Sequence, residues 1–410
     1  MAHVDDNGAL FESILAGELI STLFQSIVDL QTGTTVAYEA LSRGPAGTLF
    51  QNPAELFNHA HGIGQVSQLD VVCWRSGVTA ATEQGFSAPH SLFLNVEPGS
   101  LRRTAPIDVP HSPVPAVIEV TERALMSDPA GLLCAVDRAR ALGYRIALDD
   151  LGAEAASLAL LPLLKPDLIK LDMALLRERL DQDVARVMSA VGAHAERSGA
   201  IILAEGIETE QQRVSALALG ATYGQGWLFG RPQSTVSNAG RLAGVRFTNE
   251  HEPLPMISRT PYEVVAPQRV PRPANRALLV QLSIFLEARA RASGDSAVVL
   301  STFQQHTNLS SATRSRYDAL DAEAGLVMIF LAGDAQFHAT SRIRVAQIDA
   351  DDPLITEWDI VVLTADFSAV LAAREVNAGK HDEGSYEFVL THDRDLTTAA
   401  ALTLLNRPTA

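Results

Sequence analysis

Over the first 240 residues, short apolar runs alternate with stretches whose apolar residues have helical spacing. The runs are "FQSIVDL" (24–30), "TTVAYEA" (34–40), "SLFLNVE" (91–97), "PAVIEVTE" (115–122), "YRIALDD" (144–150), "PDLIKLD" (166–172), "AIILAEG" (200–206) and "TYGQGWLFG" (222–230). Strands that alternate with helices build a parallel sheet. Several helical stretches end on a glycine just before the next run, at Gly143, Gly199 and Gly220. That is the left-handed position that closes a helix. Eight runs predict a (β/α)8 TIM-like barrel. Runs one and two are separated only by Gln31-Thr32-Gly33, too short for a parallel crossover but sufficient for a hairpin, so the first strand is expected to be antiparallel to its neighbour.

The pattern changes after residue 245. Six prolines fall between 253 and 273, a density that precludes a long helix or a central strand. We read 1–245 as the barrel, 246–274 as a proline-rich linker and 275–410 as a smaller C-terminal α/β domain. In the last, 275–293 and 367–376 read as helices, and 296–304, 325–332, 355–364 and 385–393 as strands. Ser310 or Ser311 is expected to cap the helix that begins "ATRSRYDAL", and Phe285, Phe303, Tyr317 and Phe330 are expected in its core. His306, His338, His381 and His392 lack metal-type spacing and receive no role.

The polar residues at the ends of the barrel runs carry the chemistry. They are Glu39, Asn95, Glu119, Asp149, Asp150, Lys170, Glu205 and Gln225. The C-terminal strand ends of such a barrel form its active-site face. Singly, each is an ordinary strand-end residue. Jointly, five carboxylates on one rim repel unless cations intervene. The donors are hard oxygens with no His or Cys, which points to Mg2+ or Mn2+ rather than Zn2+. So many carboxylates suggest two ions, an arrangement suited to phosphoester hydrolysis, with Lys170 and Arg43 facing the phosphate or the attacking water.

Seven ordered motifs then converge: "YEALSR" (38–43), "LNVEP" (94–98), "IEVTER" (118–123), "DDLG" (149–152), "KLD" (170–172), "AEGIET" (204–209) and "GQGWLFGRP" (224–232). With these, residues 15–235 resemble the EAL domain of cyclic di-GMP phosphodiesterases. The resemblance implies that Glu39, Asn95, Glu119 and Asp149 hold one metal, that Asp150 helps hold the second, and that Glu205 joins the cluster directly or through water. It implies that Lys170 orients or deprotonates the water, that Leu41 and Arg43 face substrate, and that Gln225 lies near the site. Glu122 and Glu208 would support the loop after Asp150. The implied product is linear pGpG, the implied assembly a homodimer through the barrel, and Ca2+ is expected to inhibit.

The loop after the aspartates departs from the family pattern: Leu151 replaces an aromatic, Glu154 a glycine and Ala155 a tyrosine. These changes leave the ligand positions filled but keep a second reading open, a catalytically weak cyclic di-GMP receptor. The C-terminal segment resembles the DICT sensory domain, which implies regulation by a small-molecule or protein input of unknown identity. A formal net charge of −16 without a basic run argues against a nucleic-acid polymer as partner. Cys73 and Cys134 form no CxxC pair, the N-terminal stretch lacks a signal-peptide pattern, and no apolar run reaches the ~18 residues of a membrane span. A cytoplasmic location away from the membrane is the expectation.

Overall fold

The structure, a computed structural model, describes residues 2–16, 19–97, 100, 114–121, 128–151, 157–172, 182–236, 243–247, 259–333, 341–376 and 385–407. Residues 1–151 with 166–253 form one compact unit, and 152–165 with 254–410 form a second.

In the first unit, strands β1 (Ser21–Asp29), β2 (Thr35–Arg43), β3 (Ser91–Asn95), β4 (Ala116–Thr121), β5 (Arg145–Asp149), β6 (Leu168–Asp172), β7 (Ile201–Glu205) and β8 (Tyr223–Gln225) close into a barrel in that order. β1 runs antiparallel to both β2 and β8, as the short connection requires, and the remaining pairs are parallel. Asp29 builds the β1–β2 turn. Its Oδ1 accepts from the N–H groups of Gln31 and Thr32 at 2.9 and 2.8 Å, and Gly33, at φ 69°, returns its N–H to the Asp29 carbonyl. Described helices are α1 (Ala2–Leu15), α2 (Pro53–Gly62), α3 (Val66–Glu83), α4 (Pro129–Ala141), α5 (Ser157–Leu164, in the second unit), α6 (Gln182–Ser198) and α7 (Glu210–Ala218). Gly143, Gly199 and Gly220 take positive φ where helices end, as expected.

The barrel core includes Ile27, Ala37, Phe93, Val117, Ala147, Leu168, Leu203 and Tyr223, so that every strand contributes, with Val36 and Ile201 joining the same cluster. Full burial of a large apolar side chain is worth about 1.5–3 kcal/mol. A one-residue slip of a strand would turn its member of this layer outward. The layer therefore fixes register, and register fixes everything at the barrel mouth.

The second unit carries a seven-stranded sheet in the order β12-β11-β10-β13-β14-β15-β9. Its strands are β9 (Arg272–Asn275), β10 (Val298–Gln305), β11 (Leu326–Ala332), β12 (Arg344–Gln347), β13 (Glu357–Leu363), β14 (Ser368–Glu375) and β15 (Ser385–Thr391). Helices α8 (Pro261–Val265), α9 (Arg276–Ala292), α10 (Ser311–Glu323) and α11 (Arg394–Leu405) accompany it. The proline-rich stretch contributes α8, with Pro261 in its first turn, and β9, which carries Pro273 on the sheet edge. Both are positions that tolerate a missing N–H. Ser310 caps α10 through the Thr313 N–H, as read from the sequence.

Two expectations fail here. Residues 367–376, read as a helix, form β14. Thr364 makes a tight turn instead: it pairs with Phe367 through both backbone and hydroxyl, and its hydroxyl also donates to Asp366. The chain then folds back between β13 and β15, where burial on both faces erases the alternation that marks a half-exposed strand. Phe285 is 53% exposed on α9, whose inward face is Leu279, Ser283, Leu286, Glu287 and Ala290; Phe330 and Tyr317 are fully buried and Phe303 packs against them from the core margin.

Candidate active site

The mouth of the barrel follows from its interior by a step of two residues. Side chains alternate faces along a strand. From Ala37 the step reaches Glu39, from Phe93 Asn95, from Val117 Glu119, and from Ala147 Asp149. From Leu168 it reaches Lys170, from Leu203 Glu205, and from Tyr223 Gln225. On antiparallel β1 the step runs backward, from Ile27 to Gln25. All eight strands thus present a polar side chain above one apolar layer.

Lys170 sits at the centre, 1% exposed. Its Nζ lies 2.6 Å from Glu119 Oε1, 2.7 Å from Glu205 Oε1, 3.4 Å from Asp149 Oδ1 and 3.9 Å from Glu39 Oε1. Glu39 is held from both sides: Asn95 Nδ2 donates to Oε1 at 2.8 Å and Gln225 Nε2 donates to Oε2 at 2.7 Å. Gln225 Nε2 also donates to Gln25 Oε1 at 3.2 Å, and Gln25 in turn donates to the Gly230 carbonyl.

Asp150 does not follow the alternation. It lies one residue past β5 at φ 56°, in the left-handed region that aspartate tolerates better than most residues. Its N–H donates to Asp149 Oδ1 at 2.9 Å. The reversal brings oxygens of Asp149, Asp150 and Glu205 within 4.8 Å of one another. Asp150 itself thus reverses the chain here; Gly152, Glu154 and Ala155 lie outside the described residues, and Leu151 is buried.

The electrostatics are those of an unbalanced acidic centre. Glu39, Glu119, Asp149, Asp150 and Glu205 against Lys170 leave a formal −4. Like charges about 4 Å apart cost about 4 kcal/mol at an effective dielectric of 20. Burial, reinforced by the neighbouring Glu39, pushes Glu119 well above the usual carboxylate range. Burial likewise pushes Glu205 up to about 8, against the pull of Lys170, and raises Asp150, with Asp149 adding to it. Glu39 goes the other way: burial would raise it, but Lys170 and the amides of Gln225 and Asn95 hold it low. For Lys170, burial opposes the charge and is overcome by its carboxylates, leaving it raised well above the ordinary lysine value.

Two cavities flank this centre. One, of about 380 Å³, is lined by Leu41, Arg43, Asp70, Trp74, Asn95 and Glu119 among others; the second, of about 330 Å³, is lined by Gln25, Glu39, Asp149, Lys170, Glu205, Glu208, Gln225 and Trp227. Leu41 and Arg43 thus share a cavity with Asn95 and Glu119, and Glu208 lies on the rim of the other; Glu122 lies outside the described residues.

Among the lining residues that the sequence did not single out, three bear on the chemistry or shape of the site. Gln25 was hidden because the step of two runs backward on an antiparallel strand. Asp70 is an acid on the inward face of α3, 5% exposed, accepting from the Ser100 hydroxyl at 2.5 Å and the Glu97 N–H at 2.7 Å, and burial raises it to about 7. An acid inside the run "QLDVVCW" was its signal. Trp227 was legible only as part of a motif.

The chain belongs to the EAL-domain family, whose model matches residues 7–232, and residues 262–376 match the DICT domain, described as a sensory domain in diguanylate cyclases and two-component systems. The chain is 35% identical to the cyclic di-GMP phosphodiesterase RocR of Pseudomonas aeruginosa over 153 residues, 35% of this chain and 39% of RocR. It is 31% identical to the probable cyclic di-GMP phosphodiesterase PdeA of Escherichia coli over 123 residues, 30% of this chain and 17% of PdeA. It thus spans under two fifths of the length of either relative. A solved calcium and cyclic di-GMP complex of Klebsiella pneumoniae BlrP1 aligns with a TM-score of 0.49 at 26% identity, over 54% of this chain and 57% of that one. No described helix is long and apolar enough to cross a membrane.

Proposed function

We propose that this protein hydrolyses cyclic di-GMP to linear pGpG with two divalent cations, Mg2+ or Mn2+, at the mouth of the barrel. The observation that carries the reading is the charge imbalance of the ring. Five carboxylates face one lysine, and Glu119 Oε2 is buried with no hydrogen-bond partner among the described residues. An all-oxygen donor set with an unused buried carboxylate oxygen suits a hard cation. Family membership supplies the substrate.

In this reading Glu39, Asn95, Glu119 and Asp149 hold one ion, and Asp150, with Asp149 and Glu205, holds the other. When bound, the ions supply a nucleophile at neutral pH and neutralise charge on the phosphate. The chain's residues do the rest. Gln225 and Asn95 fix the Glu39 carboxylate, and Gln25 fixes Gln225. Lys170, held as a cation by four carboxylates, orients the attacking water and the phosphate oxygens. Arg43 and Leu41 receive the nucleotide in the larger cavity. Ca2+, which accepts longer and looser coordination, occupies the ring without supporting turnover. The barrel forms a homodimer, and the DICT domain receives an unidentified small-molecule or protein signal that sets activity in the cytoplasm.

Purified protein with Mn2+ and cyclic di-GMP is expected to release pGpG, and Glu39→Ala to abolish it. The altered loop after Asp150 favours the second reading, a receptor. Tight binding of intact cyclic di-GMP without turnover, with either metal and across pH 6–9, would establish that instead.

A further inference from the structure

We propose that Trp227 is a stacking platform for a guanine base of the substrate, and so a substrate-binding residue that positions the nucleotide at the site. The inference rests on the cyclic di-GMP reading. Trp227 is 54% exposed, unusual for the largest apolar side chain, yet it lines the same cavity as Glu39, Asp149, Lys170 and Glu205. Its backbone is rigid. Ile207 N–H donates to the Gln225 carbonyl at 3.0 Å, and Leu228 N–H donates to the Ile207 carbonyl at 3.0 Å, so the turn is pinned on both sides of Trp227. Gly226, at φ 152°, lies so close to this strut that a Cβ there would fall 2.1 Å from the Ile207 oxygen. Only glycine permits the approach, and the approach fixes where the next side chain points. The guanidinium of Arg231 lies 3.9 Å from the centre of the indole ring. It orients the ring by a cation–π contact and covers one face, leaving the exposed remainder to solvent at the cavity rim. A fixed aromatic plane beside a phosphate-hydrolysing centre is what a purine needs: stacking binds any base, and ordering the plane beforehand removes its entropy cost.

The test is steady-state hydrolysis of cyclic di-GMP by the full chain with Mn2+. Trp227→Ala is expected to raise KM about tenfold or more with kcat within about twofold, and Trp227→Phe, which keeps a π-face, to restore KM to within about threefold of wild type. An exposed position should leave the melting temperature of both variants near wild type. Unchanged KM in Trp227→Ala overturns the proposal while the functional reading stands. Equal losses in Ala and Phe variants, or a loss tracking with dissociation of a dimer in sedimentation, overturns it in favour of a structural or interface role. A wild type that neither binds nor hydrolyses the nucleotide overturns the functional reading and this inference with it.

Discussion

The two units each bury a carboxylate on a strand and treat it differently. In the C-terminal unit, Glu357 is fully buried and its acceptors are filled. Oε1 takes the Thr260 hydroxyl at 2.5 Å and Arg374 Nη2 at 2.6 Å, and Oε2 takes the Tyr262 N–H at 3.2 Å. A side chain so satisfied ties α8 to the sheet and has no capacity left for a ligand. In the barrel, the acids share one lysine, and Glu119 keeps an oxygen unpartnered among the described residues. Burial of a carboxylate does not mark a site. Nor does one orphaned buried oxygen, since Asp359 Oδ1 of the C-terminal unit also lacks a hydrogen-bond partner among the described residues; the convergence of several acids on one lysine does.

The sharpest way to break this contrast is to remove an acid from each unit. Glu39→Ala should lower turnover of cyclic di-GMP on the order of 10³-fold or more, the scale expected when one preorganised group of a charged centre is lost, while the fold survives; a loss below tenfold in a product assay would place Glu39 outside the machinery. Glu357→Ala should do the reverse. Stranding Arg374, itself about a third exposed, together with the Thr260 hydroxyl and the Tyr262 N–H is expected to cost about 1–3 kcal/mol in urea unfolding, with Mn2+ binding at the barrel unchanged.

A pH titration sharpens it further. Glu205 holds its proton to about 8 in the folded protein and to about 4.5 when unfolded. The folded state then binds more protons across that window. Metal-free stability should therefore fall as pH rises from about 4.5 to 8, by up to about 1.4 kcal/mol per pH unit for this group. Asp70, raised to about 7, adds the same sign over its own window. Saturating Mn2+, which binds deprotonated ligands, should flatten or reverse the slope; scanning calorimetry with and without chelator measures it. The smallest effect is expected from Gln25→Ala. It removes only a support of Gln225, so kcat should fall by about two- to fivefold with metal affinity nearly intact.

Most of the barrel was legible because its two periodicities agree. Apolar runs gave the strands, the three-residue turn gave the antiparallel start, and strand-end polar residues gave seven of the eight ring members. Gln25 was missed for the same reason the first strand was read correctly: antiparallel direction moves its mouth residue to the beginning of the run. Asp150 was legible as a carboxylate but not as the residue that turns, since φ follows from what the chain does next. In the C-terminal unit, β14 was misread because "SAVLAARE" is rich in good helix formers and only its neighbours make it a strand. Local propensity yields to pairing on both edges.

Calorimetric titration of Mn2+ into the metal-free full chain counts the cations that the ring holds. A two-cation centre should bind two equivalents, release protons on binding, and lose one or both sites in Glu119→Gln and Asp150→Asn. Absence of binding at millimolar Mn2+, or binding unchanged by both substitutions, would contradict it.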